Sequence, residues 1–165
     1  PFTVVAMILQ DGSGKNYLLA YDFYYVYQSV DVDLRMFCEW PVEINPDTIV
    51  MPDNMGADET FFFTDKDNRN IYHYNLNYGS VKKVYTSDET ITAIRRGEIG
   101  NAMGFYGDPG IYANVFVVGT ESGKITVLNM DATAIATGSP EVLFETRAEG
   151  KITAMEYMSN DMVSY

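Results

Sequence analysis

Apolar residues along this chain come in short runs broken by polar and glycine-containing turns, and a 3.6-residue helical period is not sustained anywhere. β-Branched and aromatic residues dominate the runs, which predicts strands throughout. One 17-residue pattern occurs three times without a gap, at Ala6–Asp22, Phe61–Asn77 and Val115–Asp131. Each copy reads as an apolar strand, a polar turn, a second strand with apolar positions, and then Asp or Asn. The copies start 55 and 54 residues apart, a period expected of a solenoid, a propeller or another array.

Taken in order, Val4–Gln10 and Lys15–Asp22 are expected to form a hairpin across Asp11-Gly12-Ser13-Gly14. The aromatic stretch Phe23–Tyr27 continues or follows the second strand, and Leu34–Glu39 supplies a third. Trp40-Pro41 and Asn45-Pro46 are expected to break the chain before a short strand, Thr48–Met51. In the second unit Phe61–Thr64 pairs with Asn70–Leu76, followed by Val81–Thr86 and Thr90–Arg95. In the third, Val115–Gly119 pairs with Lys124–Asn129, followed by Glu141–Thr146 and Lys151–Tyr157. Asp131–Pro140 is read only as a longer connection.

Four short strands in a repeat of about 50 residues is the pattern of a propeller blade. The units then span about 1–51, 48–86 and 90–146, with a closing strand at 151–157. If Thr90–Ile94 is an innermost strand, the order is b-c-d, two full a-b-c-d blades, and a final a. Three blades' worth of strands falls short of the usual four to eight. The expectation is an all-β segment of a larger ring, with a six-bladed ring built by two chains as the alternative.

Phe62-Phe63-Thr64-Asp65, five further residues and then Ile71 resemble the YWTD-type propeller repeat, with Phe-Phe where that motif has Tyr-Trp. The run VFVVGTESGKITVLNMD, with EVLFETRAEGKITAMEYM after it, resembles the C-terminal blades of PKD-like lipoproteins from gut Bacteroidetes. That likeness covers about the last 110 residues and is one of general style. It implies a secreted or surface-anchored, extracytoplasmic protein with a binding role, encoded near glycan-uptake systems, and it transfers no activity.

Charge narrows the partners. A net charge of −12, with only 11 Lys and Arg, argues against nucleic acid and against an anionic membrane surface. No stretch reaches the roughly 18 apolar residues of a membrane span. The chain opens on Pro1 with neither Met nor a signal-peptide pattern, which suggests processing, truncation or an incomplete sequence. Cys38 is the lone cysteine, so no intrachain disulfide and no cysteine metal cluster can form.

Candidate chemistry is sparse. Asp65, Asp67, Asn68 and Asn70 bring four oxygen-bearing side chains together and could ligate Ca²⁺. As an EF-hand loop the stretch fails, with Arg69 at the sixth position and Leu76 at the twelfth, and Asp and Asn are also what hairpin turns prefer. No other cofactor is expected. His73 is the only histidine and reads as a residue packed between blades, too few for a zinc site. Acidic residues are so abundant that no pair singles itself out as a glycosidase dyad.

Aromatic residues say more. Trp40, and Tyr106 and Tyr112 of the Gly-rich loop 97–114, are expected as exposed rings that stack on a sugar or anchor a protein partner. The other tyrosines are expected to pack between blades. Together these readings predict a non-enzymatic binding or scaffold module for a glycan or protein ligand, with a propeller glycoside hydrolase or lyase as the lesser alternative.

Overall fold

The computed structural model describes residues 2–26, 29–40, 44–53, 60–75, 78–99 and 112–155. The chain is all-β, with three antiparallel sheets in which successive strands lie side by side. The first sheet holds β1 (Phe2–Gln10), β2 (Asn16–Val26) and β3 (Ser29–Glu39). The second holds β4 (Ile44–Asp53), β5 (Thr60–Asp65), β6 (Asn70–Asn75) and β7 (Ser80–Thr86). The third holds β8 (Ile91–Ile99), β9 (Tyr112–Thr120), β10 (Lys124–Asn129) and β11 (Glu141–Arg147).

The repeat is real at the level of backbone hydrogen bonds. Asp11, Asp65 and Thr120 each open the turn of a hairpin, and the residues three further on, Gly14, Asn68 and Gly123, each donate their N–H to that first carbonyl. All three donors sit at positive φ: 87° for Gly14, 53° for Asn68 and 89° for Gly123. The opening side chain repeats its work as well. Asp11 Oδ1 accepts from Lys15 N–H at 3.0 Å, Asp65 Oδ1 from Arg69 N–H at 2.7 Å, and Thr120 Oγ1 from Lys124 N–H at 3.0 Å. Asp, Asn and Thr suit this place because a short polar side chain can reach the turn's own N–H groups. The last two strands of every sheet also share one register shift, at Ala20/Tyr21, Ile71/Tyr72 and Val127/Leu128. A bulge of this kind increases the local twist of the strand that carries it.

Packing follows from side-chain alternation. β5 is buried along its whole length, which requires cover on both faces. Phe61 and Phe63 point toward the first sheet and pack with Leu18, Ala20, Trp40 and Tyr74. Phe62 points the other way, into a core with Ile71, Val84, Ile94, Phe116, Val118 and Leu128. The second sheet is therefore the middle layer of a three-sheet stack.

Three sequence expectations need correction. Asn45-Pro46 does not break the chain, because β4 runs through it from Ile44 to Asp53 with register shifts between Ile44 and Ile49. β4 is the edge of its sheet, where the N–H that proline lacks has no ladder partner to lose. The connection at Asp131–Pro140 carries a short helix, α1 (Ala132–Thr137). Asp131 Oδ1 caps its start, accepting from Ala134 N–H at 2.8 Å, and Gly138 ends it at φ 70°. Six residues are too few to display a helical period, although both caps stand in the sequence. Of the strand expected at Lys151–Tyr157, the described part, Lys151–Met155, lies beside β8 without a ladder of its own among the described residues, and the rest lies outside them.

Candidate functional site

The edge strand β8 borders an open cleft of about 610 Å³. Its walls come from β8, from the hairpin turns at Asn68 and Glu121, and from Lys151–Met155. The sequence TITAI puts hydroxyls from Thr90 and Thr92 beside this space, and the related KITAM adds Thr153. Arg95 and Lys151 are the cations of the lining and Glu121 is its carboxylate. Lys151 Nζ lies 3.6 Å from Glu121 Oε1 with both side chains more than half exposed, so the pair is weak. Thr92 Oγ1 donates to Ile152 O at 2.5 Å and ties the outer wall to β8. The cleft thus offers hydroxyls, an amide and positive charge in a chain that is otherwise strongly acidic.

A charged clasp fixes the rim. Glu89, in the connection between the second and third sheets, accepts from Thr120 Oγ1 at 2.7 Å, from Ser122 Oγ, and from Arg147 Nη2 at 2.9 Å. The hydroxyl of Ser122, then that of Thr120, then Arg147 hold the Glu89 carboxyl down at about 2. A carboxylate whose folded value is depressed adds stability that is complete above its unfolded value near 4.5 and disappears as pH falls toward 2. Glu89→Gln is therefore expected to flatten the loss of stability between about pH 4.5 and pH 2. Thermal melts across that range check it, and an unchanged acid limb refutes it.

The sequence-predicted residues fall in different places. Trp40, expected on the surface, is 1% exposed. Its backbone N–H donates to Asn16 O at 2.8 Å, which holds the residue at the end of the first sheet. There it stacks on Phe61 and Tyr74, with centroids 6.2 and 5.9 Å away, and tilts against Phe63 at 4.9 Å. Its role is packing: the side of β5 that carries Phe61 and Phe63 needs a large apolar lid. Its Nε1 is buried without a hydrogen-bond partner among the described residues. Tyr106 lies outside the described residues, and Tyr112 opens β9 with its side chain outside them.

The Asp65, Asp67, Asn68 and Asn70 quartet is occupied by its own hairpin. Besides Arg69 N–H, Asp65 accepts from Asn70 N–H at 3.1 Å and from Asn70 Nδ2 at 2.5 Å. Burial alone would raise this carboxyl, but the bonds from Asn70 and Arg69 outweigh it and hold it below the ordinary value. Asn68 Oδ1 accepts from Thr64 Oγ1 at 2.8 Å, Asn70 Oδ1 accepts from Thr86 Oγ1 at 2.7 Å, and Asp67 is exposed. The oxygens of Asp65, Asn68 and Asn70 thus accept bonds from Arg69, Asn70, Thr64 and Thr86. Among the described residues no group of three or more His, Cys, Asp or Glu is placed to hold a metal.

Elsewhere, His73 is half-buried on β6 beside Phe62, with ring centroids 5.0 Å apart, on the side of the third sheet. The Cys38 thiol lies 3.4 Å from Tyr74 Oη, which donates to Met36 Sδ at 3.3 Å. Burial and this thiol push the Tyr74 phenol up, so it stays protonated. Among the described residues no helix is long and apolar enough to cross a membrane.

Sequence reasoning passed over Arg95, Lys151 and the threonines of TITAI and KITAM as site residues. The one available signal was the repetition of that pentapeptide at an innermost position. Comparison with protein-family models, with curated proteins and with solved structures gave no match for this chain.

Proposed function

We propose that this chain is a propeller segment of an extracytoplasmic, non-enzymatic binding protein whose cleft along β8 takes a polyhydroxylated, acidic carbohydrate. The observation that carries the reading is the lining itself, in which Thr90, Thr92 and Thr153 share the walls with Arg95 and Lys151. Hydroxyls and amides exchange hydrogen bonds with sugar hydroxyls, while a guanidinium can hold a carboxylate through two N–H groups. The propeller part of the reading is supported by the repeated hairpins, the face-to-face stacking, and β4 and β8 at equivalent edges of neighbouring sheets. In a ring those edge strands face the central channel, where a cleft bridging several sheets is the natural place for a ligand. Placement outside the cytoplasm rests on the resemblance described above.

A hydrolase would need two carboxylates roughly 5–10 Å apart across the cleft. The described lining contributes Glu121 alone, which leaves binding as the better-supported reading. Titration calorimetry against neutral and uronate-containing oligosaccharides tests the proposal. Binding of an acidic oligosaccharide is expected to weaken about tenfold or more in Arg95→Ala, the loss of one charge-assisted contact. Heat signals at background for every sugar, or equal affinity in the variant, would refute it.

A further inference from the structure

One residue, Ile152, fastens the outer wall of the cleft to the third sheet. After β11 the chain crosses back over the hairpin of β9 and β10, with Ala148 N–H donating to Gly123 O at 2.9 Å, and this crossover brings Lys151–Met155 beside β8. Lys151, Thr153, Ala154 and Met155 line the cleft, whereas Ile152 does not. Its side chain turns onto Gly119, and it is half-buried between the exposed Lys151 and Thr153. Its backbone is tied on both sides. Ile152 N–H donates to Thr120 O at 3.1 Å, and Ile152 O accepts from Thr92 Oγ1 at 2.5 Å.

Gly119 makes the seat. It is buried within β9, with ladder partners Ala93 on β8 and Ile125 on β10. A glycine inside a strand weakens it, and close approach by another segment is a usual reason for one. Gly119 is not among the glycines at positive φ, so backbone conformation does not call for it. Space does: a Cβ added there would lie 2.6 Å from Ile152 Cγ2 and 2.8 Å from Ile152 Cβ. Carbon atoms repel at such distances, so a side chain at this position would lift Ile152 off the sheet.

We propose that Ile152 is a peg seated on Gly119, and that its seating positions Lys151 and Thr153 to hold the ligand of the cleft. Of the two cations in the lining, Arg95 is carried by β8 itself, whereas Lys151 owes its place to the neighbour that is pegged. Seating and binding are then coupled. An acidic ligand that engages Lys151 favours the seated wall, and the seated wall favours the ligand by the same factor. The role in binding rests on the carbohydrate reading above and the seat itself does not, so the two are read by separate measurements.

Amide hydrogen exchange at Ile152, whose N–H is bonded to Thr120 O, reads the seat without any ligand. Gly119→Ala is expected to speed exchange there about tenfold or more, while amides of β6 keep their native protection. Thr92→Val, which removes a tie without adding bulk, is expected to act in the same direction. Adding Ile152→Gly to Gly119→Ala takes away the clashing carbons and is expected to restore the protection lost in Gly119→Ala. In calorimetry with an oligogalacturonate, Gly119→Ala is expected to weaken binding as much as Lys151→Ala does, and the double variant to recover it. Native exchange at Ile152 in Gly119→Ala, or no recovery in the double variant, overturns the peg. Native-strength binding by Gly119→Ala overturns its role in the site. A native chain that binds no oligogalacturonate overturns the carbohydrate reading, and the exchange rates still decide the peg.

Discussion

Phe62→Ala is expected to lower the unfolding free energy by about 3–5 kcal/mol, the range for removing a fully buried phenylalanine. Phe62 is 0% exposed at the middle of β5, and its ring meets Phe116 edge-on with centroids 4.6 Å apart. It is the residue of the middle strand that reaches into the third sheet, so its loss opens a cavity where two sheets meet. Both sheets are held by their own ladders and cannot easily close over it. Against a total stability of about 5–15 kcal/mol, such a loss brings the chain near its threshold. The urea midpoint measures it. A loss below about 1 kcal/mol would mean that the second and third sheets are not pressed together as described.

Gly123→Ala is expected to cost about 3 kcal/mol or more, and the comparison with Gly14→Ala explains why. Both glycines hold the fourth place of equivalent turns, at φ 89° and 87°. An alanine at such φ loses roughly 1–2 kcal/mol wherever it stands. At Gly14 an added Cβ meets nothing within 4 Å, so that conformational cost is the whole effect. At Gly123 the same atom would lie 2.3 Å from Ala148 O and 2.5 Å from Gly150 O. These are backbone atoms of the crossover that leads to Lys151, and relieving the clash breaks the bond from Ala148 N–H to Gly123 O. Denaturant titration of the two variants side by side separates the terms, and equal losses would show that the crossover is not packed on the turn. Asn68 holds this place in the second hairpin at φ 53°, so Gly14→Asn should be nearly neutral.

The hairpins were readable because their causes are local. Asp11-Gly12-Ser13-Gly14 and Thr120-Glu121-Ser122-Gly123 carry the acceptor and the positive-φ residue inside four positions, and the flanking apolar runs supply two strands to pair. The second hairpin was legible too, although its turn opens on the fifth residue of its unit while the other two open on the sixth. Such a slip is invisible until Asp65 is seen accepting the bonds that Asp11 and Thr120 accept. Trp40 was misread because an aromatic after a strand looks the same whether it faces water or a neighbouring sheet. The cleft was missed because Arg95, Glu121 and Lys151 lie on separate elements and meet only after the sheets stack.

By itself the sequence determined most of the strands, the hairpin turns and their repetition, and hence the three antiparallel sheets, since alternation and turn chemistry act over a few residues. Tertiary structure alone decided which face of each sheet is covered, and so which aromatics are core. It decided that Phe62 serves one interface while Phe61 and Phe63 serve another. It also decided that Lys151–Met155 stands beside β8 rather than in a ladder of its own. Burial and strand pairing between sheets depend on surfaces that are distant in the chain and adjacent only in space, and no local pattern encodes that adjacency.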